Sequence, residues 1–230
     1  MLTFKHVQIG QGDFRLAAHL TVRKGRRVAV IGPSGAGKST LLGAVGGFVP
    51  LISGALSIDG QDVTDARPGA RPVSMLFQDN NLFPHLTIAQ NAGLGLRPAL
   101  RLNDDETARL SHALERVGLA GLQNRRPGEL SGGQQSRAAL ARILVQNRPV
   151  VLLDEPFAAL GPALRREMLD LVRALATETG ATLMMVTHAP EDVQRIADDV
   201  IFVEGGQAQA PEPAAALMDN PPPALRAYLG

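Results

Sequence analysis

The 230-residue sequence contains no cysteine, so the chain cannot form disulfide bonds, which agrees with a reducing, cytoplasmic environment. An excess of charge of one sign is also missing, since the formal net charge is +1. Without a strong positive field, recruitment of nucleic acid or of anionic lipid is not expected. The share of hydrophobic residues, 45%, is that of an ordinary globular domain.

Long apolar runs are absent too. No window approaches the roughly 20 apolar residues that a membrane-spanning helix needs. The first residues, Met1–His6, lack the charged start and apolar stretch of a signal peptide. We therefore expect a soluble chain whose association with a membrane depends on a partner.

The order of apolar and amphipathic segments predicts an α/β fold. β-rich stretches come first: Leu2–Ile9, Phe14–Val22 and Ala55–Ile58. Apolar runs without alternation suit strands of a parallel sheet that is covered on both faces: Val28–Ile31, Val73–Phe77, Val150–Leu153, Thr182–Val186 and Val200–Val203. Helical patterns lie between them: Lys38–Val45, Asp104–Val117, Ser131–Gln146, Pro162–Thr177 and Pro190–Ala197.

The whole chain, residues 1–230, is interpreted as a single domain. Residues 83–146 hold helical patterns without a clear strand and predict a helical lobe inserted into the α/β core. Residues 207–230 form an alanine- and proline-rich tail that is poorly suited to build another domain.

A glycine-rich segment between a predicted strand and a predicted helix matches G-x-x-x-x-G-K-[ST] without a gap. Its residues are Gly32, Pro33, Ser34, Gly35, Ala36, Gly37, Lys38 and Ser39, and Thr40 follows as a further candidate ATP-binding residue. Glycines let the backbone wrap tightly and aim its N–H groups at an anion, and the helix N-terminus adds partial positive charge. Lys38 would reach the β- and γ-phosphates of ATP, and the Ser39 hydroxyl would ligate Mg²⁺.

Polar residues follow three further predicted strands at their carboxyl ends, where open α/β sheets hold ligands. Asp154 is a candidate partner for the Mg²⁺ ion, and Glu155 is a candidate general base toward the γ-phosphate. His188 is a candidate γ-phosphate contact that positions Glu155 or the water. Gln78 has an amide oxygen that could ligate Mg²⁺, although on its own it fits a polar loop residue equally well.

A second candidate anion site begins the helical pattern that ends at Gln146. It contains Ser131, Gly132, Gly133 and Gln134, and Leu130 precedes it. A serine hydroxyl, bare backbone N–H groups and the helix dipole meet there. One phosphate loop already serves one nucleotide, so a second site makes sense if it serves ATP bound to another copy. With this LSGGQ signature the sequence resembles the ATPases of ABC transporters.

The resemblance covers residues 2–205, with all motifs in the family's order. It implies a P-loop NTPase with a RecA-like parallel core, a helical lobe and a small antiparallel β part. It identifies Gln78, Glu155 and His188 as the Q-loop glutamine, the catalytic glutamate and the H-loop histidine. It also implies a homodimer clamping two ATP molecules with Mg²⁺, at the cytoplasmic face of a bacterial inner membrane. Its partners would be transmembrane permease subunits and, through them, a periplasmic substrate-binding protein.

A narrower resemblance, to the ATP-binding subunits of bacterial thiamine importers, is carried by residues 71–83 with His85, Asn91 and residues 93–96. It implies that Phe83, Pro84 and Leu86 contact a coupling helix of the membrane subunit. Importers of iron, polyamines or oxyanions share much of this pattern and remain alternatives. A non-transport ABC ATPase acting on ribosomes or DNA, and a binding-only regulator, are further alternatives. The cargo does not follow from the residues, because the cargo would not touch this chain.

The sequence departs from the family pattern in three places. Gly161 stands where the family has an aspartate that links the two nucleotide sites, which predicts weakened coupling with hydrolysis retained. Gln135 and Ser136 replace the usual Arg-Gln after the signature. The aromatic residue that stacks on adenine is missing near residues 9–11, and Phe14 is the nearest substitute.

Overall fold

The computed structural model describes residues 1–223 and 225–226. Over these residues, eleven strands form one mixed sheet. In chain order they are β1 (Leu2–Gln11), β2 (Phe14–Val22), β3 (Arg27–Ile31), β4 (Leu51–Ile58), β5 (Gln61–Asp62), β6 (Val73–Leu76), β7 (Val150–Asp154), β8 (Thr182–Val186), β9 (Asp199–Glu204), β10 (Gln207–Ala208) and β11 (Glu212–Pro213). The helices are α1 (Lys38–Gly46), α2 (Ile88–Gly93), α3 (Asp104–Arg116), α4 (Gly132–Gln146), α5 (Pro162–Thr179), α6 (Pro190–Ile196) and α7 (Ala214–Asp219). Short 3₁₀ helices cover Pro68–Ala70 and Pro127–Glu129.

The sheet has a parallel half and an antiparallel half. Strands β9, β3, β8, β7 and β6 lie side by side and parallel. Strands β2, β1, β4 and β5 continue the sheet with antiparallel pairing. The two-residue strand β10 joins the halves, since it pairs parallel to β2 and antiparallel to β9. The predicted fold class, an α/β P-loop architecture with a small antiparallel β part, is confirmed.

Burial on both faces explains why the parallel strands lack an alternation of apolar and polar residues. All five residues of β8 are buried, because helices cover both faces of this half of the sheet. One core cluster packs α1 against both halves of the sheet and contains Leu41 and Val45 together with Phe4 and Leu16. A second cluster joins α2, α3, α4 and α5 to the other face.

The segment between β6 and β7 contains α2, α3 and α4 and no strand among its described residues. Helices α2 and α3 begin with reciprocal capping boxes, at Thr87 with Gln90 and at Asn103 with Glu106. The sequence patterns predicted α3 and α4 but not α2, which has only six residues.

The alanine- and proline-rich tail contributes to the sheet and its cover. Ala208 of β10 and Leu217 of α7 are buried, and β11 pairs with β9. The parts of the predicted tail at residues 224 and 227–230 lie outside the described residues. Within the described chain, no helix combines the length and the apolar composition needed to cross a bilayer.

Candidate nucleotide site

The phosphate loop (Gly32–Ser39) connects β3 to α1 at the carboxyl edge of the parallel half. Gly35 and Gly37 have φ angles of 76° and 101°, in the left-handed region that favours glycine. Gly37 is the N-cap of α1 and supplies no side-chain hydrogen bond. The first N–H groups of α1 therefore have no side-chain cap and can receive an anion.

Lys38 is 5% exposed, and its ammonium lies across the loop. Its Nζ donates hydrogen bonds of 2.8 Å to the backbone oxygens of Gly32 and of Pro33. Burial lowers the pKa of Lys38, while the charges of Glu155 and Asp154 act in the opposite direction. The ammonium is thus held by neutral carbonyl groups, which phosphate oxygens can replace with a stronger, charge-assisted bond.

Ser39 and Asp154 meet beside Lys38. The Ser39 hydroxyl donates a hydrogen bond of 2.9 Å to Oδ1 of Asp154, the last residue of β7. Burial raises the pKa of the Asp154 carboxyl, and the hydrogen bond from Ser39 partly offsets this. A hydroxyl and a carboxylate at this spacing offer the hard oxygen donors that Mg²⁺ prefers.

Glu155 and His188 form a direct pair in front of the phosphate loop. Nε2 of His188 lies 2.5 Å from Oε1 of Glu155. They come together because β7 and β8 are parallel neighbours, so that their carboxyl ends meet at one edge. Glu155 has a φ of 46°, in the left-handed region that is strained for a residue other than glycine. Its backbone N–H donates a hydrogen bond of 3.2 Å to Val186 O.

A cavity of about 320 Å³ brings most of the predicted nucleotide residues together. Its lining consists of Phe14, Ser34, Gly35, Gly37, Lys38, Ser39, Thr40, Glu155 and His188. Gly32, Pro33, Ala36 and Asp154 belong to the adjoining loop and strand rather than to this lining. The volume and the mixture of backbone and charged groups suit a phosphate-bearing ligand.

Phe14 lies against the phosphate loop. A Cβ atom at Gly37 would fall 2.5 Å from Cζ of Phe14, so the ring needs glycine there. The sequence pattern pointed to Phe14 only as the nearest aromatic residue, and the structure places its ring in the wall of the cavity.

Gln78 and the signature residues lie apart from this cavity in the single chain. Gln78 is exposed on the turn after β6 and does not line the cavity. Ser131 caps α4 through a reciprocal pair of hydrogen bonds with Gln134, and Ser131 and Gly132 are exposed. Gly133 is buried under the Leu164 side chain of α5.

Sequence reasoning missed a polar cluster directly behind His188. Thr187 and Asp192 are buried, and Arg165 of α5 donates a hydrogen bond of 2.5 Å to Asp192. Arg165 and Asp192 are 27 residues apart in the sequence, so no local pattern predicts that they pair. Only the packing of α5 on α6 brings them together.

Comparison with known proteins agrees with this geometry. The family model for ABC transporters matches residues 17–158. A thiamine import ATP-binding protein ThiQ of Ruegeria sp. (strain TM1040) is 59% identical over 230 residues, covering 100% of both chains. The protein of the same name from Cereibacter sphaeroides is 60% identical over the same span, and that from Brucella suis biovar 1 is 49% identical over 225 residues, 97% of this chain and 93% of the relative.

Solved structures give the same result. A dimeric ATP-binding cassette in a post-hydrolysis state bound to ADP and Pi superposes with a TM-score of 0.79 at 29% identity, covering 93% of this chain and 99% of that one. An ADP-bound cassette of an ABC transporter superposes with a TM-score of 0.89 at 24% identity, covering 100% and 98%, and supports the fold. The chain belongs to the ABC transporter family and is one of its ATP-hydrolysing cassettes.

Proposed function

We propose that this chain is the ATP-hydrolysing, energy-coupling subunit of a bacterial importer for thiamine or thiamine pyrophosphate. It would act as a homodimer at the cytoplasmic face of the inner membrane. Its partners would be transmembrane permease subunits and, through them, a periplasmic substrate-binding protein, with no nucleic acid involved. The cargo is supported by relatives named as thiamine import ATP-binding proteins that align over their full length at 59% and 60% identity.

The residues around the phosphate loop suit ATP with Mg²⁺. Residues 32–40 would hold the phosphates through backbone N–H groups and the Lys38 ammonium. Ser39 and Gln78 would ligate Mg²⁺, and Asp154 would accept a hydrogen bond from a water molecule bound to the metal. When bound, the metal neutralises negative charge on the phosphates. Gln78 lies on the exposed turn after β6, outside the cavity lining, and would reach the metal from that turn.

The observation that carries the chemistry is the pairing of Glu155 with His188 beside Lys38. Glu155 would orient the attacking water and accept its proton, and His188 would hold the Glu155 carboxylate and contact the γ-phosphate. The left-handed backbone at Glu155 aims the carboxylate toward the loop and is a strain that functional sites tolerate.

The signature, whose residues Ser131 and Gly132 are exposed, supports a head-to-tail dimer. Within one chain it lies outside the nucleotide cavity, so it would cap ATP held by the partner copy. Its capping box already uses the Ser131 hydroxyl and the Gln134 side chain to order the start of α4. The backbone N–H groups at this helix start would then face the partner's γ-phosphate.

A groove between the turn after β6 and α4, with Asn81, Phe83 and Arg142 in its lining, supports docking of a membrane subunit. Phe83 is 46% exposed, and the Arg142 guanidinium lies 5.9 Å from its ring centroid. Asn91 is fully buried and bonds to the backbone of Phe83, Leu86 and Thr87, which fixes the loop that begins at Phe83 in the groove wall. A coupling helix of the permease would contact Phe83, Pro84 and Leu86.

These assignments complete the proposed organisation. Residues 1–230 form a single nucleotide-binding domain, with residues 83–146 as the helical lobe and residues 207–230 as the tail. The lobe carries the signature and one side of the docking groove, so a movement of the lobe would link ATP binding to the permease.

Uptake of labelled thiamine tests the proposal in cells deleted for this chain. Cells complemented with wild type should regain uptake, and cells complemented with Glu155→Gln should not, although both proteins accumulate equally. Unchanged uptake after deletion would refute the thiamine assignment and would move the cargo to iron, a polyamine or an oxyanion.

A further inference from the structure

A buried polar cluster lies directly behind the Glu155–His188 pair. Its centre is Oδ2 of Asp192, which accepts a hydrogen bond of 2.5 Å from the Thr187 hydroxyl and one of 2.5 Å from Nη2 of Arg165. Thr187 is 3% exposed and Asp192 is 5% exposed. The three residues come from three segments: the residue after β8, the first turn of α6 and the first turn of α5.

Thr187 fixes the backbone on both sides of His188. Its Oγ1 accepts a hydrogen bond of 3.1 Å from the N–H of Ala189, which closes a tight turn around the histidine. Its own N–H donates to Val30 O of β3 at 3.3 Å, two residues before the phosphate loop. The position of the His188 ring therefore depends on how Thr187 is held.

Arg165 connects the same cluster to the segment that carries Glu155. Arg165 lies in the first turn of α5, whose N-cap Gly161 follows the loop from Glu155, and its backbone N–H makes the usual helix bond of 2.9 Å to Gly161 O. A cavity of about 210 Å³ lies between the two segments, with Glu155, His188 and the cluster residues in its lining. This space would let the His188 turn shift if the cluster were broken.

We propose that Arg165 and Asp192 are positioning residues that hold His188 against Glu155 through the Thr187 hydroxyl. This inference rests on the proposed roles of Glu155 and His188 in hydrolysis. The ion pair does not touch the nucleotide. It keeps the contact between Nε2 of His188 and Oε1 of Glu155 at 2.5 Å, a distance that a displacement of about 1 Å would break.

A neighbouring ion pair supplies a matched control. Asp170 of α5 accepts hydrogen bonds of 2.8 and 2.5 Å from Arg195 of α6, so this pair also bridges α5 and α6. The side chains of Asp170 and Arg195 are exposed, at 53% and 36%, and among the described residues neither forms a hydrogen bond with Thr187. Loss of this pair reports on the packing of the two helices without disturbing the turn around His188.

The test is steady-state phosphate release by the purified full chain with ATP and Mg²⁺, together with its melting temperature. Thr187→Val removes the hydroxyl but keeps the side-chain volume and the Arg165–Asp192 pair, whereas Thr187→Ser keeps the hydroxyl. We expect Thr187→Val and Arg165→Met to lower kcat about tenfold or more with KM for ATP unchanged, as misplacement of a reacting group does. Thr187→Ser and Arg195→Met should retain kcat within about twofold of wild type.

The outcomes separate this inference from the proposed function. Wild type must release phosphate and Glu155→Gln must not. If those two results hold while Thr187→Val and Arg165→Met keep the wild-type kcat, the positioning role is refuted and the proposed function stands. Equal losses for Thr187→Ser and Thr187→Val, or for Arg195→Met and Arg165→Met, would also refute it, because a general loss of packing would then explain the effect. Full activity of Glu155→Gln would overturn the proposed roles and this inference together.

Discussion

Gly161 is the N-cap of α5, and its replacement by aspartate is expected to stabilise the chain. Its φ and ψ are −62° and 156°, an extended conformation open to any residue, and a Cβ atom there meets nothing within 4 Å. No side chain caps α5 at present. Pro162 has no N–H, so an aspartate oxygen would accept a hydrogen bond from Ala163 or Leu164, at the second or third helical position.

The size of the effect follows from three contributions. Aspartate exceeds glycine as an N-cap by a few tenths of a kcal/mol. Its charge near the N-terminus of the 18-residue helix adds about 0.3–1 kcal/mol. Replacing glycine also reduces the entropy of the unfolded chain, by about 0.4–1 kcal/mol. Because the first two overlap, we expect a total of about 1 kcal/mol, which raises the Tm of a chain of this length by about 2–4 °C.

Thermal unfolding of the nucleotide-free protein measures this effect, with two control variants. Gly161→Ala shares the entropy contribution but lacks a cap, so it should fall well below Gly161→Asp in Tm. Gly161→Asn supplies a cap without charge and should lie between them. A Tm for Gly161→Ala equal to that of Gly161→Asp would refute the capping argument. The aspartate should also raise the ATPase rate or its cooperativity, and no change in either would refute the proposed link between the two nucleotide sites.

Three further substitutions test the buried polar groups and the cavity wall. Burial raises the pKa of the Asp154 carboxyl above its ordinary 3.8, so the contribution of Asp154 to the free energy of unfolding falls as pH rises from 3.8 through the folded pKa. Asp154→Asn should therefore raise the Tm of the nucleotide-free protein at neutral pH. The same substitution should weaken binding of ATP with Mg²⁺. Arg71 is 3% exposed and donates hydrogen bonds to four backbone oxygens, two of them at the end of α1. Arg71→Met should therefore lower the free energy of unfolding in urea by about 3 kcal/mol or more. The control Arg67→Met, at an exposed position, should leave that free energy almost unchanged. Phe14→Ala should weaken ATP binding about tenfold, as loss of base stacking does, and should reduce the preference for ATP over GTP. Phe14→Tyr should keep the ATP affinity and the preference of wild type. Equal ATP affinity in Phe14→Ala and wild type would exclude a stacking role.

The parallel core was predictable because burial on both faces leaves a direct trace in the sequence. Val150–Leu153 and Thr182–Val186 are continuous apolar runs, and both are strands of the sheet. The two-residue strand β10 could not be predicted, since alternation has no meaning over such a length. Its position between β2 and β9 depends on the pairing of distant segments rather than on local preference.

The residues that line the phosphate-loop cavity were predictable where a contiguous motif fixes them. Lys38 and Ser39 follow a glycine-rich loop whose spacing is dictated by phosphate geometry. The Arg165–Asp192 pair has no such constraint, because many arrangements of helices could hold a threonine at the end of a strand. The absence of Gln78 from the cavity lining was equally beyond the sequence, since it depends on the conformation of one turn.

The central claim is that two copies of this chain close around ATP and that Glu155 drives the hydrolysis that reopens them. The most direct measurement is the oligomeric state of Glu155→Gln by size-exclusion chromatography with light scattering, with ATP, with ADP and without nucleotide. The account predicts a dimer with ATP alone and no phosphate release, while wild type releases phosphate and returns to a monomer. A Glu155→Gln protein that stays monomeric at saturating ATP, or that hydrolyses ATP at the wild-type rate, would contradict it.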